Sequence, residues 1–307
     1  MDISLELYKV FYYVAITLSF SEASRQLYIS QSAVSQSIKT LERKLGHALF
    51  IRSTKQVLLT AAGEMLLSHV EPAIHLIQKG ESLLEEHTSL QGQLRIGASD
   101  TICRYFLIPY LEKFHREYPD VRIRVTNQTS IGCVDLLENG QVDLIVTNSP
   151  NSHIPPQYPA FPIFQFQDQF VASPTAFPLQ EKILSLQELT SYPILMLSRS
   201  TTSEYLHELF SNHRLKLIPE VELSSNDLLM DLAKIGLGIA FVPDYMMTRE
   251  KFLYSLQLKE KLPARQLLLT CQELLPPTAQ KFIEYFRAEE TPTHHSDTDF
   301  PWPEKYS

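Results

Sequence analysis

Between Ser30 and Gly46 the sequence specifies one helix with two unlike faces, and few folds have a use for such an element. Val34, Ile38, Leu41 and Leu45 recur at four, three and four residues, so a 3.6-residue period stacks them into one buried stripe. Ser30 is suited to cap the start, and Gly46 stands where a left-handed residue would end the helix. The opposite face carries Gln31, Ser32, Ser35, Gln36 and Lys39, with no bulky apolar group among them. Amide side chains can donate and accept in pairs at adenine edges, while serines and a lysine reach phosphates or purine acceptors. The same composition would also serve as an ordinary solvated face, so the neighbouring sequence has to decide.

Upstream, Leu7, Val10, Phe11, Val14 and Leu18 form the inward stripe of a first helix. After a polar break at Ser19, Ser21 is expected to cap a short second helix through Leu27, with Ala23 and Leu27 facing in. Downstream, Leu49 to Ile51 and Val57 to Leu59 read as short strands around Arg52-Ser53-Thr54-Lys55-Gln56, a wing whose Arg52 and Lys55 suit backbone phosphate or the minor groove. Residues 1–60 hold seven Lys and Arg against four Asp and Glu, a net of +3, which leaves −11 for the rest of a chain whose formal charge is −8. A weakly basic head on an acidic body can approach phosphate at one end only.

The string SFSEASRQLYISQSAVSQSIKTLERKLGHALFIR, from Ser19 to Arg52, resembles the DNA-binding signature of LysR-type transcriptional regulators, with Ser32 where the family commonly has proline. The resemblance implies a winged helix-turn-helix over residues 1–60 that reads promoter DNA in the major groove. Ser30, Gln31, Ser32, Ser35, Gln36, Lys39, Arg52 and Lys55 are then its candidate DNA contacts. Residues 61–90, with Leu66, Leu67, Val70, Ile74, Ile77 and Leu84 in an apolar seam, resemble the family's linker helix, which pairs subunits. Pro72 is expected to kink it. A homodimer or homotetramer is the family expectation, and RNA polymerase is a further candidate partner.

From residue 91 to 290 the pattern alternates strands and helices, which is α/β architecture. Leu94–Ala98, a helix from about Thr101 to Tyr118, Val121–Val125, a helix near Ile131–Asn139 and Val142–Val146 suggest a first subdomain. Phe161-Pro162-Ile163 and Gln266–Thr270 read as two crossings, with Lys281–Arg287 as a closing helix. Subdomain I is accordingly placed at 91–161 and 266–290, and subdomain II at 162–265. The arrangement resembles the family's periplasmic-binding-protein-like effector domain. Helices that start just after strands aim their amides into the intervening cleft and attract anions. Three such starts are hydroxyl-rich, and they nominate Ser99, Thr101, Thr129, Ser130, Ser198, Ser200 and Thr202 as contacts to a small anionic or zwitterionic effector. Helix capping alone would explain the same residues. Residues 291–307, with Trp302, read as a tail.

Other functions fit poorly. There is no G-x-S-x-G, G-x-x-x-x-G-K or H-E-x-x-H motif, so neither catalysis nor a cofactor is expected. Cys103, Cys133 and Cys271 are widely spaced, with no C-x-x-C pair to hold a metal, although a redox role for Cys103 or Cys133 stays open. No apolar run reaches the ~18 residues of a membrane span, and Asp2 and Glu6 sit where a secretory signal would be basic, so a cytoplasmic protein is expected.

Overall fold

The computed structural model describes residues 3–52, 56–84, 90–272 and 274–287. Contacts divide the described residues into two compact units, one drawn from residues 1–86 with 138–141, the other from the remainder.

In the first unit, α1 (Leu5–Thr17) starts where the Ser4 side chain accepts from the Glu6 amide, and it buries Val10, Phe11 and Val14. The next helix, α2 (Phe20–Gln26), is capped by Ser19, whose hydroxyl accepts from the Glu22 amide at 3.2 Å, and not by Ser21. The extended backbone of Ser19 leaves its oxygen free to turn onto the first turn, whereas Ser21 is already helical. Helix α3 (Gln31–Leu45) runs from Ser30, which accepts from the Ala33 amide, to Gly46 at φ 73°, a conformation that costs glycine little. Its stripe of Val34, Ile38 and Leu41 is fully buried against α1 and α2, where each side chain contributes roughly 1.5–3 kcal/mol.

Strands β1 (Phe50–Arg52) and β2 (Val57–Leu59) pair antiparallel, Phe50 opposite Leu59 and Arg52 opposite Val57. The Phe50 ring packs against Phe11 and Phe20 at 5.5 and 6.0 Å and ties the wing to the helices. Helix α4 (Ala61–Leu84) continues through Pro72 as one element. Proline costs this helix one amide donor, the bond that would reach the Ser68 carbonyl, without ending the ladder on either side.

The second unit contains two five-stranded sheets. The first comprises β3 (Gly92–Ala98), β4 (Val121–Asn127) and β5 (Leu144–Asn148), which are parallel, and two antiparallel strands that come later in the chain. Between β3 and β4 lies a broken helix: α5 (Asp100–Ile102), a π-helical turn at Cys103–Leu107, and α6 (Ile108–Glu117). The continuous helix expected from Thr101 to Tyr118 is interrupted because Pro109, in the first turn of α6, has no amide to donate, and the Ile108 amide reaches back five residues to Cys103. Helix α7 (Ser130–Glu138) precedes β5.

The crossing strand β6 (Ala160–Phe166) completes the first sheet, and after Gln167 the chain enters the second sheet as β7 (Asp168–Ala172). There follow β8 (Ile183–Leu184), α8 (Leu186–Leu189), β9 (Ile194–Leu197), α9 (Thr201–Asn212), β10 (Val221–Leu223), α10 (Asn226–Lys234), β11 (Ile239–Pro243), a 3-10 turn (Asp244–Arg249), β12 (Tyr254–Ser255) and β13 (Gln257–Leu258). The second sheet has the order β10-β9-β11-β7-β12. The chain then returns as β14 (Arg265–Cys271), which pairs with both β5 and β6 in the first sheet, and closes with α11 (Pro277–Arg287).

Residues 162–166 and Arg265, assigned from the alternation to the second subdomain, therefore belong to the first sheet. The β6–β14 ladder runs from Ala160 opposite Thr270 to Phe166 opposite Arg265, so the chain changes sheets at Gln167 and just before Arg265. Each sheet has its own core. Leu94, Phe106, Phe114 and Phe282 fill the first, and Phe170, Met196, Phe210 and Phe241 the second.

Candidate functional site

On the head, α3 presents Gln31, Ser32, Gln36 and Lys39 to solvent, while Ser35 is half-buried. Ser30 is occupied as the helix cap, and its hydroxyl lies 2.9 Å from that of Ser32. Ser21 donates to the Gln31 side-chain oxygen at 3.2 Å, which orients that amide. Two features were not legible in the pattern. The Glu42 carboxylate accepts from the backbone amides of Leu49 and Phe50, at 2.8 and 3.3 Å, and clasps the start of the wing to α3. Tyr28, 95% exposed, holds a left-handed backbone at φ 54° in the turn before α3. The backbone of Arg52 ends β1, but its side chain, like the whole of Lys55 and the wing tip, lies outside the described residues, as do residues 291–307 with Trp302.

In the second unit the strands of both sheets end at one cleft of about 340 Å³, and all seven effector candidates line it. Four helices begin there. Ser99 accepts from the Ile102 amide, Thr129 from Gly132 and Ser225 from Leu228, at 3.2–3.3 Å, while Ser200 and Ser203 form a reciprocal box at the start of α9. Ser130 is buried with its hydroxyl accepting from the Asn148 amide, and Ser198 continues the wall beyond β9. These residues come together because each follows the carboxyl end of a strand, where the chain must turn and a hydroxyl satisfies the first helical amides.

The two subdomains touch directly across the cleft. Asn226 donates from Nδ2 to the Thr101 hydroxyl at 3.0 Å, Tyr105 donates to Asp227 at 2.7 Å, and Arg104 lies 3.6 Å from Asp227. Asp100, the one acidic side chain in the lining, faces Arg104 at 3.9 Å and the Asn127 amide at 3.5 Å.

Behind the cleft, at the sheet-to-sheet crossings, Arg265 is 2% exposed. It donates to Asp168 at 2.6 Å, to the Ser149 carbonyl at 2.5 Å and to the Thr202 hydroxyl at 3.3 Å, and lies over the Tyr205 ring at 4.6 Å. Burial pushes the Asp168 carboxyl above its ordinary range, with Arg265 pulling the other way. Sequence pattern alone missed Thr201, Asn226, Asn148 and Arg265. The serine and threonine run at 198–202 contained a signal for Thr201 only.

The cysteines sit close to this region without suiting redox chemistry. Burial, with Asp100 adding to it, pushes the Cys103 thiol up to about 12; burial does the same for Cys133, so thiolate is scarce at neutral pH. A second depression of about 410 Å³ lies in the second subdomain between Gln167–Phe170 and Leu256–Leu262, and none of the nominated residues lines it. Among the described residues no acidic, histidine or cysteine cluster could hold a metal ion, and no helix is long and apolar enough to cross a membrane.

The family model described as the bacterial regulatory helix-turn-helix protein of the LysR family matches residues 5–64, and the LysR substrate binding domain matches residues 87–291. The chain is a LysR-family transcriptional regulator. This regulator is 31% identical over 245 residues to a probable RuBisCO transcriptional regulator of Synechocystis sp., covering 76% of this chain and 69% of that protein. It is 28% identical over 249 residues to the transcriptional activator CmpR of Synechocystis sp., with 80% and 81% covered, and 24% identical over 244 residues to the activator IlvY of Salmonella typhimurium, with 78% and 82% covered. Among solved structures, full-length OxyR from Pseudomonas aeruginosa shares the fold at TM-score 0.73 and 20% identity, covering 94% of this chain and 96% of that one. Full-length CbnR complexed with its target DNA shares it at 0.67 and 20%, covering 92% and 99%. The regulator is thus a DNA-binding protein with an effector-binding domain, and not an enzyme.

Proposed function

We propose that the regulator reads duplex DNA with Gln31, Ser32, Ser35, Gln36 and Lys39 of α3. Ser30 sets the helix start, and Arg52 and Lys55 engage the backbone beside it. A small anionic or zwitterionic effector occupies the hydroxyl-lined cleft. The observation that carries this reading is the convergence of four hydroxyl-capped helix starts on one cleft of about 340 Å³, in a chain whose other unit holds an exposed amide and serine face.

A ligand held between the two subdomains favours their closed arrangement, and it regulates by biasing how paired heads meet successive half-sites. A homodimer or homotetramer supplies those pairs, and DNA as the target places the work in the cytoplasm. A head of net +3 gives limited phosphate attraction by itself, so useful affinity rests on pairing.

Thermal shift of the full chain against a panel of amino acids and small organic acids tests the cleft. A hit whose shift disappears in Ser99→Ala and Thr129→Ala supports it. A hit unaffected by both moves the site elsewhere.

A further inference from the structure

The cleft hydroxyls can be sorted by which part of their hydrogen-bonding capacity the protein already uses. A hydroxyl has one proton to give and two lone pairs to offer. Ser99, Thr129 and Ser225 accept from backbone amides, Ser130 accepts from the Asn148 amide, Thr101 accepts from Asn226, and Thr202 accepts from Arg265. None of the six gives its own proton to a described residue, whereas Ser200 gives its proton to Ser203. Six O–H donors therefore remain for a ligand. The Arg265 guanidinium, buried behind Thr202, adds positive charge one bond back from the wall, although no lysine, arginine or histidine is among the described lining residues. Such a wall suits the oxygens of a carboxylate.

Acceptors stand among these donors. Asn226 spends its amide on Thr101 and leaves Oδ1 buried without a donor, and Asn148 Oδ1 is in the same position. The Thr201 hydroxyl, 1% exposed at the first residue of α9, has no partner. Buried carbonyls in this state favour a ligand that brings a donor of its own, and an alcohol or an ammonium would serve. Asn226 and Thr201 are the first residues of α10 and α9, where helical amides give positive potential that disfavours an ammonium. Asp100, the carboxylate that would welcome one, is half exposed and faces Arg104.

Resting on the reading that the effector occupies this cleft, we propose that the effector is a small hydroxycarboxylate. Its carboxylate takes the hydroxyl donors, and its alcohol donates to the side-chain carbonyls of Asn226 and Asn148.

Titration calorimetry of the full chain with two matched series tests the class: propionate, lactate and alanine, then succinate, malate and aspartate. Lactate or malate is expected to bind at least about tenfold more tightly than both its deoxy and its amino counterpart, the cost of leaving buried acceptors unmet. Asn226→Ala, checked as folded by its melting curve, should bring that ratio near one, while Thr201→Val retains most of it. If a deoxy or amino member binds as tightly as the hydroxy acid, the class is wrong and the cleft reading stands. Silence from all six also overturns the class. Binding that survives Thr129→Ala unchanged removes the cleft reading as well.

Discussion

Replacing Arg265 with methionine removes the buried cation at the crossings between the sheets while keeping most of its volume. The wild-type guanidinium bonds Asp168 at 2.6 Å, the Ser149 carbonyl at 2.5 Å and Thr202 at 3.3 Å, and stacks over Tyr205. Asp168 is itself 2% exposed, so Arg265→Met leaves a buried carboxylate without its partner. Breaking a buried pair from one side costs about 3–5 kcal/mol. At about 2–4 °C per kcal/mol for a domain of this size, the melting temperature should fall by roughly 6–20 °C at pH 8.

The pH dependence has a definite sign. Burial already raises the Asp168 carboxyl, and without Arg265 nothing offsets that rise. A carboxyl whose folded-state value lies above the unfolded one binds its proton more tightly when folded. The variant should therefore regain stability as pH falls through that raised value toward the ordinary carboxylate range, and by more than the wild type does. Replacing both charges, in Asp168→Leu/Arg265→Met, should recover most of the loss. Differential scanning calorimetry from pH 5 to 8 reads all three proteins. A single variant within about 1 kcal/mol of wild type at pH 8 refutes the reasoning. So does a double variant no more stable than the single.

Gly46→Ala meets no neighbour within 4 Å, so its cost is conformational alone. It should destabilise the head by about 1 kcal/mol through the left-handed backbone at φ 73°, measured by denaturant melting. Cys103 and Cys133, with thiols near 12, should present about one thiolate in ten thousand at pH 8 and stay unmodified by a thiol reagent until the chain is unfolded. Fast labelling of the native protein would return a redox role to consideration. Arg52→Ala should weaken DNA binding evenly across sequences and reduce the slope of log affinity against log salt by about one. A change in sequence preference would instead make Arg52 a base reader.

Local periodicity made the head legible. The buried stripe of α3, its Ser30 cap and its Gly46 stop all follow from spacing within fifteen residues or so, and they stand where the pattern puts them. Ser19 displaced Ser21 as the cap of α2 because capping depends on which serine is extended, a backbone property that composition does not carry. In the body, hydroxyls after strands pointed to the cleft, since a helix start needs a cap wherever it lies. The residues that close the cleft were hidden for a different reason. Asn226 meets Thr101 across 125 positions, and Arg265 meets Asp168 across 97. Nothing in either local sequence marks such a pair. Proline shows the same limit from the other side. Pro72 leaves α4 as one helix, whereas Pro109 coincides with the π turn that divides α5 from α6.

The central claim, that α3 reads bases through its amide and serine face, is tested most directly by salt-dependent footprinting of the Gln31→Ala and Ser35→Ala variants on promoter DNA. Both variants should remain folded and keep the wild-type salt slope. Each should lose about 1–3 kcal/mol of discrimination between its site and a singly mismatched one. Wild-type sequence preference in both variants would contradict the assignment of the reading face.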